Sequence, residues 1–192
     1  MPPRPGVFFV RGLPRPPVDQ AALTPALLCP ASCFVTLFYH GRLRGCLGSL
    51  DAEQPLYREA SLRARQVAEA DDRFIPVAPG ELPHIEIEIS VLSAPEPLPY
   101  DRPADLPRLL RPGVDGLVLG HGRQRATFLP QVWERVPEPE HFVSLLCEKL
   151  GAPRDAWRYT RFEAARYTAQ QFRESDFPLE PGLGQPLPFR PD

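Results

Sequence analysis

The chain has 192 residues, a length typical of one domain with short extensions. Apolar residues make up 43% of it and charged residues 24%, so it can bury a core, and wholesale disorder is excluded. The formal net charge is −2 and the isoelectric point is about 6.1, which gives no electrostatic case for a nucleic acid or an anionic membrane as partner.

The cysteines and the absence of long apolar runs indicate the cellular setting. The four cysteines, in a chain long enough to bury a core, do not resemble a disulfide framework. No apolar run with a small-residue cleavage site follows residues 1–6, and no stretch is apolar enough to span a membrane. We therefore expect a reduced, cytoplasmic protein that has no membrane partner.

Prolines divide the chain into three parts. Of the 27 prolines, many lie near the two ends, so residues 1–28 are predicted to form a Pro-rich extended or partly disordered segment and residues 177–192 a Pro-rich tail. The predicted domain spans residues 29–176.

The first half of this domain shows three clear elements. Residues 34–39 and 42–48 are strand-like and flank His40-Gly41, which predicts a β-hairpin. Pro55 begins an amphipathic helix that ends near residue 71. Residues 84–91 alternate between isoleucine or valine and polar residues, which predicts a strand with one buried face and one more polar face.

The second half continues the mixture of strands and helices. A short helix is predicted within residues 106–110, a second hairpin over residues 116–129 with its turn at His121-Gly122, and an amphipathic helix from Glu138 to Leu150. Residues 159–172 favour a late strand, although Glu163 to Arg166 alone are compatible with a helix. The order of elements predicts an α+β fold with a mainly antiparallel sheet and flanking helices.

Four sequence blocks carry a resemblance to a known family. They are Leu43-Arg-Gly-Cys-Leu-Gly48, Asp72-Arg-Phe74, Phe128-Leu-Pro-Gln-Val-Trp133 and Leu146-Cys-Glu-Lys-Leu-Gly151, in this order. Together they resemble the AMMECR domain family, whose signature hexapeptide differs from the first block only by isoleucine in place of Leu47. The resemblance covers roughly residues 33–172.

The resemblance implies a fold and a set of partners. It implies a larger lobe of sheet and helices and a smaller lobe that form a cleft. It also implies a link to Memo-like and radical-SAM proteins, the AmmeMemoRadiSam system, and it implies no particular reaction. The chain departs from the family in its Pro-rich start and at Asp72, where relatives have proline, so either Asp71 or Asp72 takes the place of the family acid.

Cys46 is the candidate nucleophile. Gly45 and Gly48 reduce the bulk around it and allow a substrate to approach the sulfur. Arg44 lies two residues before Cys46 and is the candidate stabiliser of a thiolate or of a bound anion, provided that the strand is regular there. The alternative is a small packing cysteine in a glycine-bent hairpin.

A catalytic thiol also needs a proton acceptor. None of the four histidines falls at a motif position, so a Cys–His pair has no support. The acceptor would be Glu81, Asp72 or the substrate itself. The sequence therefore leaves open whether the protein is an enzyme.

Three further residues are candidate ligand contacts. Arg73 is expected to converge with Arg44 on an anion, with Asp72 beside it; the alternative is a helix-terminating ion pair with Phe74 as an aromatic plug. Gln131 is positioned to bind a polar ligand edge. The sequence has no iron–sulfur, zinc, Walker or dinucleotide motif, so neither a metal nor a cofactor is predicted.

These observations favour a protein that binds a small anionic or nucleotide-like ligand in a cleft at Leu43–Gly48, with Cys46 as a reactive thiol. The alternative is a non-catalytic adaptor for a Memo-like or radical-SAM partner. A third hypothesis, an RNA-associated role, is disfavoured by the charge balance, and the sequence does not indicate an oligomeric state.

Overall fold

The computed structural model describes residues 18–177 and has an α+β fold with two four-stranded sheets. The chain divides into two compact units: the first runs to Val91 and resumes at Gln170, and the second is Leu92–Ala169. Most of the two predicted Pro-rich terminal segments lies outside the described residues. Within residues 18–177, no helix combines the length and the apolar character needed to cross a bilayer.

The helices are α1 (Pro25–Leu28), α2 (Leu56–Glu69) and α3 (Pro139–Leu150). The strands are β1 (Cys33–Tyr39), β2 (Arg42–Gly48), β3 (Ile85–Leu92), β4 (Glu96–Pro97), β5 (Gly116–His121), β6 (Gln124–Phe128), β7 (Glu163–Tyr167) and β8 (Ala169–Arg173). Several short 3₁₀ turns connect them.

The first sheet has the strand order β2-β1-β3-β8, so β2 is an edge strand. The predicted hairpin of β1 and β2 is confirmed. Its turn residues His40 (φ 49°) and Gly41 (φ 75°) both adopt the left-handed conformation that a two-residue hairpin turn requires. Helix α2, also confirmed, packs its apolar stripe on this sheet through Val67 and Ala68 against Val35 and Leu37.

One face of β3 differs from the prediction. The face expected to be the more polar one is buried at Glu88 (4% exposed) and Ser90 (1% exposed). A buried carboxylate is tolerated when it is paired, and Arg173 Nε on β8 donates to Glu88 at 2.6 Å. The polar residues that alternate along β3 therefore include a buried ion-pair partner and do not all face solvent.

The second sheet has the order β4-β7-β5-β6, and its β5–β6 hairpin confirms the predicted one. The predicted turn at His121-Gly122 is wrong by one residue: His121 ends β5 and pairs with Gln124, so the loop is Gly122-Arg123, with Gly122 at φ 63°. The short helix predicted within residues 106–110 is a 3₁₀ helix, Pro103–Leu109. Helix α3 ends at Gly151, whose φ of 87° suits the left-handed C-terminal position. The late segment that was ambiguous forms strands, β7 and β8, and not a helix.

Candidate functional site

Arg44 sits at a bulge in edge strand β2. Leu37 of β1 is opposite Gly45 and Phe38 is opposite Leu43, so Arg44 is an extra residue in the ladder. A bulge interrupts the alternation of side chains between faces. The regular strand that would align Arg44 with Cys46 is therefore absent at this point.

The guanidinium of Arg44 is bonded to Glu81, 37 residues away. Arg44 Nε donates to Glu81 Oε1 at 2.8 Å, and Nη2 donates both to Glu81 Oε2 at 3.1 Å and to the carbonyl of Ile75 at 2.9 Å. Glu81 also accepts from the backbone N–H of Ala78 at 2.8 Å. The hydrogen bonds from Arg44 lower the pKa of Glu81, which keeps this carboxylate ionised and fastens the segment after α2 to β2.

A second ion pair, which we call the Asp71–Arg73 clasp, binds the backbone of β2 at Cys46. Asp71 Oδ2 accepts from the Cys46 N–H at 2.9 Å, and Arg73 Nη2 donates to the Cys46 carbonyl at 2.8 Å. The two side chains are joined through Arg73 Nε and Nη2 at 2.8 and 2.7 Å. The clasp thus supplies the acceptor and the donor that a neighbouring strand would give to this edge.

Hydrogen bonding explains the acidity of Asp71. The pKa of Asp71 is lowered from 3.8 to about 2, chiefly by the hydrogen bonds from the Arg73 side chain. The backbone N–H groups of Cys46 and Arg73 add to this, and together these bonds outweigh burial, which acts in the opposite direction. Its side chain is only 1% exposed, so the clasp is a buried carboxylate covered by a half-exposed guanidinium.

Both arginines meet at Phe74. The Cζ atom of Arg44 lies 5.8 Å and that of Arg73 5.7 Å from the centre of the Phe74 ring, within the range of cation–π contacts. Each arginine uses Nε and Nη2 for a carboxylate and a backbone carbonyl. Within residues 18–177, the Nη1 group of each arginine donates to no partner, which leaves two N–H donors on each arginine.

The Cys46 thiol is a weak acid in this setting. Thr36 Oγ1 donates to Cys46 Sγ at 3.3 Å, and burial raises the pKa of the thiol despite this bond and despite the charge of Arg73. Arg73, and not Arg44, is the arginine whose charge acts on the sulfur. At neutral pH the thiol is protonated, which disfavours a nucleophilic thiolate in this conformation. The catalytic role of Cys46 stays a prediction.

Packing accounts for the two glycines of the hexapeptide. A Cβ on Gly45 would lie 2.8 Å from Val67 Cγ2 and 3.4 Å from Asp71 Oδ2. A Cβ on Gly48 would overlap the Phe34 ring. Both residues let β2 approach its neighbours closely, and Gly45 in particular admits the clasp.

The structure brings together only part of the predicted site. Arg44, Cys46 and Arg73 share the site, while Asp72 is exposed and Asp71 provides the buried acid. Gln131 lies in the 3₁₀ helix Pro130–Glu134 of the second unit. Among residues 18–177, no three side chains of metal-ligating type come together.

Sequence reasoning assigned Glu81 and Phe74 other roles. The predicted proton acceptor Glu81 is paired with Arg44. The predicted aromatic plug Phe74 contacts both guanidinium groups. The motif Asp71-Asp-Arg-Phe74 contains the signal, because its residues Asp71, Arg73 and Phe74 contact β2.

The model of the AMMECR1 family matches residues 12–172 of the chain, most of its length. The chain belongs to the AMMECR1 family. All of the hexapeptide, the clasp and Glu81 fall inside the matched range.

Three archaeal proteins illustrate how similar this AMMECR1-family chain is to its relatives. A protein of Methanothermobacter thermautotrophicus is 43% identical over 142 residues, which cover 73% of this chain and 74% of the relative. Protein TK0174 of Thermococcus kodakarensis is 37% identical over 165 residues, which cover 80% of this chain and 77% of the relative. The crystal structure of the uncharacterised protein PH0010 from Pyrococcus horikoshii is similar with a TM-score of 0.79 at 30% identity, covering 88% of this chain and 85% of that one.

Proposed function

We propose that this AMMECR1-family protein binds a small ligand through an anionic group, and that Arg44 and Arg73 are the residues that hold it. The observation that carries the proposal is the pair of guanidinium groups at Phe74, each fixed by a carboxylate and each keeping its Nη1 donors unused within residues 18–177. A planar guanidinium with two donors on one nitrogen suits the oxygens of a carboxylate or phosphate.

Preorganisation supports this function over a purely structural role. The Arg44 side chain is only 11% exposed, and its Nη1 group belongs to the small part that solvent, or a ligand, can reach. An anion that accepts from these accessible Nη1 donors replaces their hydrogen bonds to water with charge-assisted hydrogen bonds. Ion pairs that fix the arginines in advance reduce the conformational entropy lost on binding.

The raised pKa of Cys46 favours binding over covalent catalysis. A protonated thiol does not attack a substrate, whereas its backbone N–H and carbonyl hold the clasp in place whatever the state of the sulfur. Cys46 therefore acts in this proposal as a positioning residue through its backbone.

Calorimetric titration of the full chain with sodium acetate and with inorganic phosphate tests the proposal. We expect at least one of the two anions to bind, and Arg44→Lys and Arg73→Lys each to weaken that binding by about tenfold, because lysine keeps the charge and loses the planar donor pair.

Arg111→Lys is the matched control. Arg111 makes the same type of ion pair, with Asp115, on the second unit, and it has no aromatic ring contact within residues 18–177. Its substitution should leave the affinity unchanged, and thermal unfolding should show all three variants folded. Equal losses in the three variants, or no binding of either anion to the wild type, would contradict the proposal.

A further inference from the structure

The charge balance at the arginine pair restricts the anions that the site accepts, if the proposed function holds. Arg44 and Arg73 are already compensated by Glu81 and Asp71, and the exposed Asp72 adds a negative charge beside them. The low pKa of Asp71 keeps that carboxylate ionised over the physiological range. A dianion would therefore bring excess negative charge to a cluster that has no positive surplus, whereas a monoanion needs only the directed Nη1 donors.

An exposed aliphatic residue, Ile75, is bonded to Arg44 through its backbone. The carbonyl of Ile75 accepts from Arg44 Nη2 at 2.9 Å, so Ile75 is held beside Arg44. Its side chain is 80% exposed, the highest value among the large apolar side chains of residues 18–177. A ligand with an apolar part adjoining its anionic group would bury this surface.

We infer that the ligand is a monocarboxylate whose carboxylate is attached to an apolar group. The carboxylate oxygens accept from the Nη1 groups of Arg44 and Arg73, and the apolar group covers the side chain of Ile75. A small apolar carboxylic acid and the C-terminal residue of a peptide share this chemistry.

Titration calorimetry with the full chain compares three probes: 3-phenylpropionate, its neutral analogue 3-phenylpropanamide, and inorganic phosphate. We expect 3-phenylpropionate to bind at least about tenfold more tightly than the amide, because the amide loses the charge-assisted hydrogen bonds. We also expect it to bind more tightly than phosphate.

A surface substitution isolates the apolar contribution. Ile75→Ser should weaken the binding of 3-phenylpropionate by about fivefold, from the apolar area no longer buried, and leave that of acetate unchanged. The matched control is Val114→Ser, at a 45% exposed valine of the second unit, which should change neither affinity. Both positions are exposed, so neither variant endangers the fold.

The outcomes separate this inference from the proposed function. Tighter binding of phosphate than of 3-phenylpropionate, with dependence on Arg44 and Arg73, overturns the inference and keeps anion binding. An unchanged affinity for 3-phenylpropionate in Ile75→Ser also overturns it. Absence of binding by every anion overturns both.

Two peptides distinguish the sources of the carboxylate. One ends in leucine with a free carboxylate and the other has the same sequence with an amidated end. Tighter binding of the free-carboxylate peptide than of 3-phenylpropionate supports a peptide C-terminus. Weaker binding of both peptides than of 3-phenylpropionate supports a small acid.

Discussion

Each unit of the protein contains a buried aspartate bonded to a half-exposed arginine. In the first unit Asp71 is 1% exposed and pairs with Arg73; in the second, Asp115 is 0% exposed and pairs with Arg111. In both pairs the carboxylate accepts from Nε and Nη2 of the arginine and from its backbone N–H.

The two pairs differ in what else they bind. Asp115 and Arg111 are four residues apart, and their hydrogen bonds close the turn between them. Asp71 and Arg73 reach across to the backbone of Cys46 on edge strand β2. The same ion-pair chemistry thus closes a local turn in one unit and builds a candidate site in the other, because the clasp binds the backbone of an edge strand and shares the Phe74 ring with Arg44.

The largest expected effects come from the two glycines at which β2 approaches its neighbours closely. Gly48→Ala should lower the free energy of unfolding by about 3 kcal/mol, because its Cβ would overlap the Phe34 ring and the Cys33 carbonyl. Gly45→Ala should cost about 2 kcal/mol by displacing Val67. Urea unfolding of both variants measures these losses.

The control for the glycine variants is Gly80→Ala, at a glycine with no heavy atom within 4 Å of the added Cβ. It should unfold like the wild type. A Gly45→Ala variant as stable as Gly80→Ala would show that β2 does not need this approach.

Neutralising the two aspartates should separate their roles. Asp71→Asn and Asp115→Asn should each cost about 2 kcal/mol, since each leaves a guanidinium without its charged partner. Only Asp71→Asn should speed amide hydrogen exchange at Cys46, because only Asp71 accepts from that N–H. Equal exchange at Cys46 in the two variants would contradict the assignment.

Acid should weaken the clasp in a defined pH range. The folded pKa of Asp71, about 2, lies below its ordinary value of 3.8, so its stabilisation is complete above 3.8 and is lost as the pH falls towards 2. Solvent around the half-exposed Arg73 screens part of this ion pair. We therefore expect Asp71 to contribute about 1–2 kcal/mol to the free energy of unfolding.

Urea unfolding of the wild type and Asp71→Asn between pH 2 and pH 6 measures this contribution. The stability difference between the two proteins should shrink as the pH falls through this range. A difference that stays constant from pH 6 to pH 2 would show that Asp71 does not titrate with the clasp.

The smallest expected effect is a difference in alkylation rate between one thiol of each unit, Cys46 and Cys147. Cys46 is partly exposed and Cys147 is fully buried, and burial raises the pKa of both thiols. Iodoacetamide should alkylate Cys46 faster than Cys147 and more slowly than the exposed Cys29. Thr36→Val, which removes a donor to Sγ, should slow alkylation of Cys46 by about threefold. Faster alkylation of Cys46 than of Cys29 would restore the case for a reactive thiol.

Local patterns were sufficient to predict most elements of the fold. The His40-Gly41 pair predicted the first hairpin and its turn, since left-handed turn residues act locally. Gly122 indicated the second hairpin, although its turn lies one residue later than predicted, at Gly122-Arg123. The apolar stripes of α2 and α3 likewise depend on spacing within one element.

The site depends on contacts that spacing does not encode. The bulge at Arg44 comes from the pairing of two strands, and the partner of Arg44 lies 37 residues away. The choice between Asp71 and Asp72 depends on which one reaches the edge of β2. Burial of Glu88 likewise follows from its pairing with Arg173, 85 residues away.

The most direct test of the arginine pair is nuclear magnetic resonance of the arginine side chains in the wild-type protein during titration with 3-phenylpropionate. The account predicts that the guanidinium signals of Arg44 and Arg73 shift together and give one dissociation constant, while those of Arg111 stay in place. Signals of Arg44 and Arg73 that do not move, or that move no more than those of Arg111, would contradict it.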